Sequence, residues 1–333
     1  MASQNVETKM PRNSGSLNYG FITIAYGDSK YIRMGKILAR SIRLNSPDAK
    51  LAVVTDCDDE EINTLFDHVI TINLDWPSGV AQKLYLDQYT PFDESIFIDS
   101  DCIVYKNLDL IWDYYSQLCD FGIKGYSYLT AEDRHYSIED LAACLQQLNL
   151  RRMASFNSGV IYFNKSQNAQ DVFASARDIY HQREDLTLME FKNAPVNDEP
   201  IFALAMEIHN VEILPWDNAS VMGTYSGDVK YKNQINVLKK KGQYIKNNVL
   251  LDPMIIHFHF ECQDYFIFYL EARRLQYKDS VFVRPLAYSH AALDICINRC
   301  QYYIKRIKTR TKQYGLLGII PERISRNFNK PVN

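Results

Sequence analysis

The chain has 333 residues, enough for one large α/β domain or two small ones. Its 47% apolar and 23% charged residues make an ordinary globular composition, and a net charge of −3 gives no general case for a nucleic-acid partner. The polar first 17 residues lack the apolar core of a secretory signal, and no run of about 18 apolar residues that would span a membrane occurs.

In chain order, residues 1–17 read as a disordered leader. YGFITIA (19–25) reads as a buried strand, followed by a turn at Gly27 and Asp28. Tyr31, Met34, Leu38 and Ile42 have helical spacing, and this helix stops before Pro47. LAVVT (51–55) is a second strand. Asp58 and Glu61 have capping-box-like spacing, and Ile62, Leu65, Phe66 and Val69 continue a helix. VITINL (69–74) is a third strand, residues 81–90 are helical, and SIFIDSD (95–101) begins as a strand. This alternation predicts a mainly parallel sheet with helices on both faces.

The second half is more mixed. FGIKGY (121–126), SGVIYFN (158–164) and MIIHFHF (254–260) read as strands. Helices are expected from Ser137 through Leu150, from Ser166 through Gln182, over 198–208, and from Asp264 to Tyr277. Seven cysteines at irregular spacings, with no CxxC pair, form no disulfide framework; they point to a reducing compartment and a cytoplasmic location. From Arg299 to Lys330 there are nine Lys or Arg and one acidic residue, Glu322. A basic amphipathic helix of this kind fits peripheral contact with an anionic membrane surface, and equally a solvated helix packed on the domain. The expected organisation is a leader at 1–17, a catalytic domain at 18–285 and a basic helical extension at 286–333.

The sharpest feature is Ile96-Phe97-Ile98-Asp99-Ser100-Asp101. Three apolar residues make a strand that delivers two carboxylates to its C-terminal end, where open α/β sheets bind ligands. Two carboxylates separated by one residue can reach one hard cation, Mn²⁺ or Mg²⁺, which binds pyrophosphates with few protein ligands.

With these residues in place, the chain resembles the family-8 glycosyltransferases of GT-A, Rossmann-like fold, the glycogenin and lipooligosaccharide galactosyltransferase type. AQKLYLDQYTPFDESIFIDSDCIVYKNLDLIW (81–112) carries the resemblance most strongly, within a span from about Tyr19 to Phe260. The resemblance implies that Ala25, Tyr26 and Tyr31 cradle the nucleobase and ribose, and that Asp56 contacts the base. It implies a place for Lys83 near the donor phosphates, for Ser100 beside the metal pair, and for Asn157, Ser158 and Gly159 along the sugar pocket. Asp198, in Asn197-Asp198-Glu199, matches the acidic residue beside the anomeric carbon, where the family has an Asp-Gln pair. His257 matches a third metal ligand beside Asp99 and Asp101.

Other readings stand beside these. Lys83 could be a solvated helix charge, Asp198 an N-cap, and the Asn-Ser-Gly segment a strand-entry turn. His257 and His259 lie two apart in a strand and could face one side, or be core histidines. The family's Gly and Lys-Pro-Trp after the metal histidine are missing from FHFECQDYF (258–266). Arg273, Arg274, Lys239, Lys240 and Lys241 are candidates to replace that lysine.

The expected function is metal-dependent transfer of a sugar from a nucleoside diphosphate sugar, a UDP-sugar, to a glycan, lipid-linked or protein hydroxyl. The resemblance implies retention at the anomeric carbon. Two rivals are a nucleotidyltransferase, against which AYGDSK (25–30) offers only Gly27 for a phosphate loop, and a non-catalytic sugar-nucleotide-binding module.

Overall fold

The alternating pattern of the first hundred residues folds as parallel strands joined by helices in the computed structural model, which describes residues 18–190, 196–215, 217, 220–225, 234–259, 266–277 and 283–314. β1 (Tyr19–Ile24) leads to α1 (Ser29–Asn45), capped by the Asp28 side chain on the Lys30 amide. β2 (Leu51–Thr55) leads to α2 (Glu60–Leu65) and then β3 (His68–Thr71). The cap of α2 is Asp59, not Asp58, and its carboxylate accepts from the Ile62 amide at 2.8 Å. The helix ends at Leu65, and Val69 belongs to β3, because three short elements share this stretch. Residues 79–85 form a 3₁₀ helix, continued by the single turn α3 (Leu86–Tyr89), before β4 (Glu94–Ile98).

The remaining elements close the site. They are β5 (Cys102–Val104), α4 (Asp109–Ser116), β6 (Phe121–Gly122), β7 (Lys124–Thr130), α5 (Leu141–Gln147), β8 (Arg152–Phe156) and β9 (Val160–Asn164). α6 (Gln167–His181), α7 (Asp198–Ile208), β10 (Leu214–Pro215) and β11 (Met222–Thr224) follow, then β12 (Gln234–Asn236), β13 (Lys241–Lys246), β14 (Val249–Leu251) and β15 (Ile255–His257). α5 is shorter than the helix expected from Ser137: Asp140 is its cap, on the Ala143 amide at 2.9 Å. Ser166 caps α6 as expected, and α7 occupies 198–208.

The central sheet has the order β3-β2-β1-β4-β9-β6. β3, β2, β1 and β4 run parallel, while β9 returns antiparallel to β4. Side chains alternate across it, as period-two geometry demands. Ile22, Val54, Phe97, Ile161 and Phe163 pack on one face with Val172 and Phe173 of α6 and Phe202 of α7. Phe21, Val53, Ile96, Ile98 and Tyr162 pack on the other with Leu38 and Ile42 of α1 and Trp112 and Tyr115 of α4. Both faces are covered over β1, β2 and β4, which are mostly buried, while the edge strand β3 is largely exposed. Three smaller sheets, β10-β7-β8, β11-β15-β5 and β12-β13-β14, complete the arrangement.

The chain forms two compact units, Met1–His259 and Phe260–Asn333. In the second, α8 (Phe266–Tyr277) and α9 (Val283–Tyr314) pack through Tyr269, Leu270, Ala287 and Ala291. The domain boundary expected at 285/286 falls inside α9. The leader at 1–17, Phe260, Asp264 and the basic residues beyond 314 lie outside the described residues.

Candidate active site

β4 ends at Ile98, and the chain turns directly into Asp99-Ser100-Asp101. Register places Ile98 opposite Val160, and the Asp99 amide donates to the Gly159 carbonyl at 2.9 Å. The Asn-Ser-Gly segment is therefore held against the paired aspartates by continued sheet pairing. β5 then pairs antiparallel with β15, setting Cys102 opposite His257. His257 Nε2 lies 3.1 Å from Asp101 Oδ1 and 3.8 Å from Asp99 Oδ2. Residues about 155 positions apart thus meet at one corner, at the carboxyl ends of the parallel strands.

Lys83 is not a solvated charge. The 3₁₀ helix buries it, and its Nζ lies 3.0 Å from Asp99, 3.2 Å from Asp198 and 3.3 Å from Ser158 Oγ. Ser158 in turn donates to Asp198 at 2.6 Å. Burial disfavours the Lys83 ammonium, but Asp198 and Asp99 outweigh it and raise its pKa, so it stays charged. Asp198 is also not the cap of α7: Asn197 caps it by accepting from the Glu199 amide at 3.3 Å. The Asp198 side chain, 3% exposed, is released from the capping role and turned to Lys83 and Ser158.

His257 has its tautomer fixed by its neighbours. The Asn157 amide oxygen accepts from the Gly159 amide at 3.1 Å, so the atom facing His257 Nδ1 at 2.9 Å is an acceptor. Nδ1 must carry the hydrogen, leaving Nε2 toward the carboxylates. A bare Nε2 against Asp101 is tolerable only with a proton or a cation between them. Burial opposes the proton, while Asp101 and then Asp99 favour it, and the ring pKa is raised. Burial likewise pushes the Asp99 carboxyl up against the opposing pull of Lys83, whereas His257 holds Asp101 below the usual range despite its burial.

Asp99, Asp101 and Asp198 face one fixed cation, Lys83, so the corner is rich in negative charge when His257 is neutral. Carboxylate oxygens with an imidazole nitrogen suit Mn²⁺ or Mg²⁺, and the residues present fit a divalent cation. Cys102 enters the same corner, with donor atoms of Asp101, Cys102 and His257 all within 4.8 Å of one another. Burial holds its thiol well above the ordinary range, so it is a protonated strand side chain beside an oxygen-rich site. His259 lies past the end of the strand with a left-handed backbone, φ 59°, yet its ring stays beside that of His257, with centroids 5.5 Å apart.

No family model and no curated protein sequence matches the chain. Solved structures do. The galactosyltransferase LgtC, in complex with donor and acceptor sugar analogs, is 15% identical with a TM-score of 0.47, over 80% of this chain and 99% of that one. Mouse xyloside xylosyltransferase 1 is 12% identical with a TM-score of 0.44, over 74% of this chain and 99% of that one. WbbM, a bifunctional glycosyltransferase, is 13% identical with a TM-score of 0.51 over 85% of this chain, which spans about half of WbbM's length (53%). The fold is the GT-A glycosyltransferase fold.

Within this GT-A frame the other expected donor residues gather at the ends of β1 and β2. Ala25 is buried and its amide donates to Val54 O at 2.9 Å. Tyr26 Oη accepts from the Gly79 amide at 2.5 Å. Both oxygens of Asp56 accept from the Gly27 amide at 3.1 Å. Tyr31 is exposed, with the Lys30 ammonium 4.6 Å from its ring centroid. Ser100 is buried between Asp99 and Asp101 in the sequence.

The expected substitutes for the missing lysine fare differently. Arg273 makes two 2.7 Å bonds to Asp294 and Arg274 pairs with Glu271, both inside the second unit. Lys241 Nζ donates to Gln234 at 3.3 Å on the β12–β13 ribbon. Sequence reasoning missed Lys246. It is half-buried, with no carboxylate partner among the described residues, and its Nζ donates to the Thr224 carbonyl at 3.1 Å. Thr224 is in register with His257. A half-buried lysine with no carboxylate partner among the described residues has no sequence signature, because only tertiary structure shows its surroundings.

Proposed function

We propose that this protein is a metal-dependent glycosyltransferase that moves a sugar from a nucleoside diphosphate sugar, a UDP-sugar, to an acceptor hydroxyl with retention at the anomeric carbon. The observation that carries this reading is the meeting of Asp99, Asp101 and His257 with Lys83 and Asp198 at the carboxyl end of β4. Asp99, Asp101 and His257 would hold the cation. Bound there, Mn²⁺ or Mg²⁺ supplies Lewis-acid neutralisation of the departing diphosphate.

The chain's own residues do the rest. Lys83 pairs with Asp198 and holds it in place together with Ser158. A carboxylate so fixed stabilises positive charge on the anomeric carbon in an oxocarbenium-like transition state. Lys246 is the cation available to a donor phosphate in place of the missing family lysine. Tyr26, Tyr31 and Asp56 bind the nucleoside, and Asn157, Ser158 and Gly159 line the sugar. The acceptor is a glycan, lipid-linked or protein hydroxyl.

Replacing Asp99 and Asp101 together by Ala should abolish turnover and Mn²⁺-dependent UDP binding; unchanged metal-dependent activity rejects the assignment. UDP-sugar hydrolysis measured with and without Mn²⁺ separates sugar transfer from nucleotidyl transfer and from a binding module. The anomeric configuration of the product, read by proton NMR coupling, decides retention.

Peripheral membrane contact is the second part of the reading. Among the described residues no helix is long and apolar enough to cross a membrane. α9 instead exposes Leu286, Leu293, Ile297, Ile304 and Ile307, at steps of 7, 4, 7 and 3 that keep them on one face. The chain from Arg299 onward is strongly basic. An apolar stripe with basic neighbours suits the surface of an anionic bilayer.

A further inference from the structure

Glu199 follows Asp198 and lies half-buried at the start of α7, at the position where the resembled family has Gln. Among the described residues, each side chain that hydrogen-bonds to its carboxylate donates to it. Asn157 Nδ2 gives a hydrogen bond to Oε1 at 3.1 Å, Tyr136 Oη gives one to Oε2 at 2.7 Å, and Asn197 Nδ2 lies 3.3 Å from the same Oε2. An ionised carboxylate accepts at both ends and meets this surrounding directly, although burial and Asp198 raise its pKa. A glutamine meets it only by keeping its oxygen on Asn157 and turning its NH₂ to Tyr136 Oη, a hydroxyl that already accepts from Asn197 Nδ2 at 2.6 Å.

The polarity then propagates. Because Glu199 accepts from Nδ2 of Asn157, the amide oxygen of Asn157 must face the other way, toward the Gly159 amide at 3.1 Å and His257 Nδ1 at 2.9 Å. That oxygen fixes the hydrogen on Nδ1 and turns the bare Nε2 to Asp101 and Asp99. We propose that Glu199 is a positioning residue, which sets the Asn157 amide and through it the ring nitrogen that His257 offers to a cation. The proposal rests on the metal-site reading above.

The test uses the full chain and Mn²⁺ as the probe, followed by the electron paramagnetic resonance signal of the free ion. Glu199→Leu keeps the bulk of the side chain but removes the acceptor that Asn157 Nδ2 meets. It is expected to weaken Mn²⁺ binding about 10–100-fold, as loss of a partner behind a metal ligand does, with little change in melting temperature. Glu199→Gln is the conservative variant: its oxygen can stay on Asn157 while its NH₂ turns to the Tyr136 hydroxyl, so Mn²⁺ affinity should return toward wild type. A purely structural role predicts that melting temperature and Mn²⁺ affinity fall together in Glu199→Leu.

Unchanged Mn²⁺ affinity in Glu199→Leu, or an equal loss in Glu199→Gln, overturns the relay. Asp101→Asn serves as the reference. If it loses Mn²⁺ while Glu199→Leu does not, the relay falls and the metal reading stands. Mn²⁺ uptake that Asp101→Asn leaves intact overturns the metal reading and the relay together.

Discussion

The ammonium of Lys83 lies 3.2 Å from the carboxylate of Asp198, and both side chains are almost wholly buried. Lys83 is the only fixed positive charge among the contacts described for Asp99 and Asp198. Removing one member of a buried charge pair costs about 3–5 kcal/mol because the other is left uncompensated. Lys83→Met should therefore lower the melting temperature of the cation-free protein and abolish sugar transfer. Added Mn²⁺ should recover part of the stability, since it neutralises the same carboxylates. A calorimetric scan with and without Mn²⁺ reads both effects.

Gly159 offers a test that adds a single methyl group. A Cβ there would stand 2.9 Å from Asn157 Oδ1, from His257 Nδ1 and from Met222 Sδ. All three are closer than carbon atoms tolerate, and two belong to the bond that orients His257. Gly159→Ala should weaken Mn²⁺ and UDP binding by at least tenfold, about 1.4 kcal/mol, while the central sheet still folds. Isothermal titration beside far-ultraviolet dichroism separates the two; normal ligand binding would contradict the close packing.

His257 makes the cation-free protein pH-sensitive in a defined direction. Burial opposes its charge, but Asp101 and Asp99 raise its pKa in the folded state. A raised folded value stabilises below the unfolded pKa of about 6.5 and loses that contribution as pH climbs through the folded value. The melting temperature without metal should fall over that window, and His257→Gln should flatten the change. Mn²⁺ competes with the proton on Nε2, so binding should release a proton at neutral pH. Titrations in buffers of different ionisation enthalpy measure it.

Lys246 and the aspartates should separate donor affinity from metal affinity. Lys246 donates to the Thr224 carbonyl and has no described carboxylate partner. Lys246→Ala should leave Mn²⁺ binding near wild type but weaken a UDP-sugar several-fold, with less loss for free uridine, which has no phosphate. Equal affinity for the UDP-sugar in wild type and variant removes Lys246 from the donor site.

The exposed stripe of α9 should be separable from the catalytic corner. Leu293→Asp with Ile297→Asp places two charges on the apolar face without touching the Ala287 and Ala291 contacts to α8. Binding to vesicles rich in anionic lipid should drop, and soluble turnover should persist. Undiminished sedimentation with vesicles would dismiss the membrane contact.

Much of this was legible in the residues. β1, β2 and β4 are uninterrupted apolar runs, and Asp99 and Asp101 follow one of them, so the sheet and the carboxylate pair can be read from periodicity alone. Ser166 and its helix are equally plain, because a cap and a 3.6-residue pattern coincide there. Lys83 is ambiguous for a physical reason: a lysine on a polar-looking turn reads as solvated until the carboxylates that bury it come from residues 99 and 198. β8 (RMASF) and the short strands β10 to β14 escape sequence reading, since two to six residues carry too little alternation to stand out. Glu199 looks like a solvent-facing residue of the first helical turn. Its meaning lies in the hydrogen-bond direction of Asn157 and Tyr136, which sequence spacing cannot encode.

The pairing of Cys102 with His257 has a consequence for the newborn polypeptide. Domains fold as they leave the ribosome, amino end first, and the strands up to β4 can assemble early. The corner that joins Asp99, Asp101 and His257 cannot: β15, which carries His257, is among the final segments of the first unit to be translated. A half-made chain therefore carries the aspartates without His257, and the corner is complete only once β15 has been synthesised.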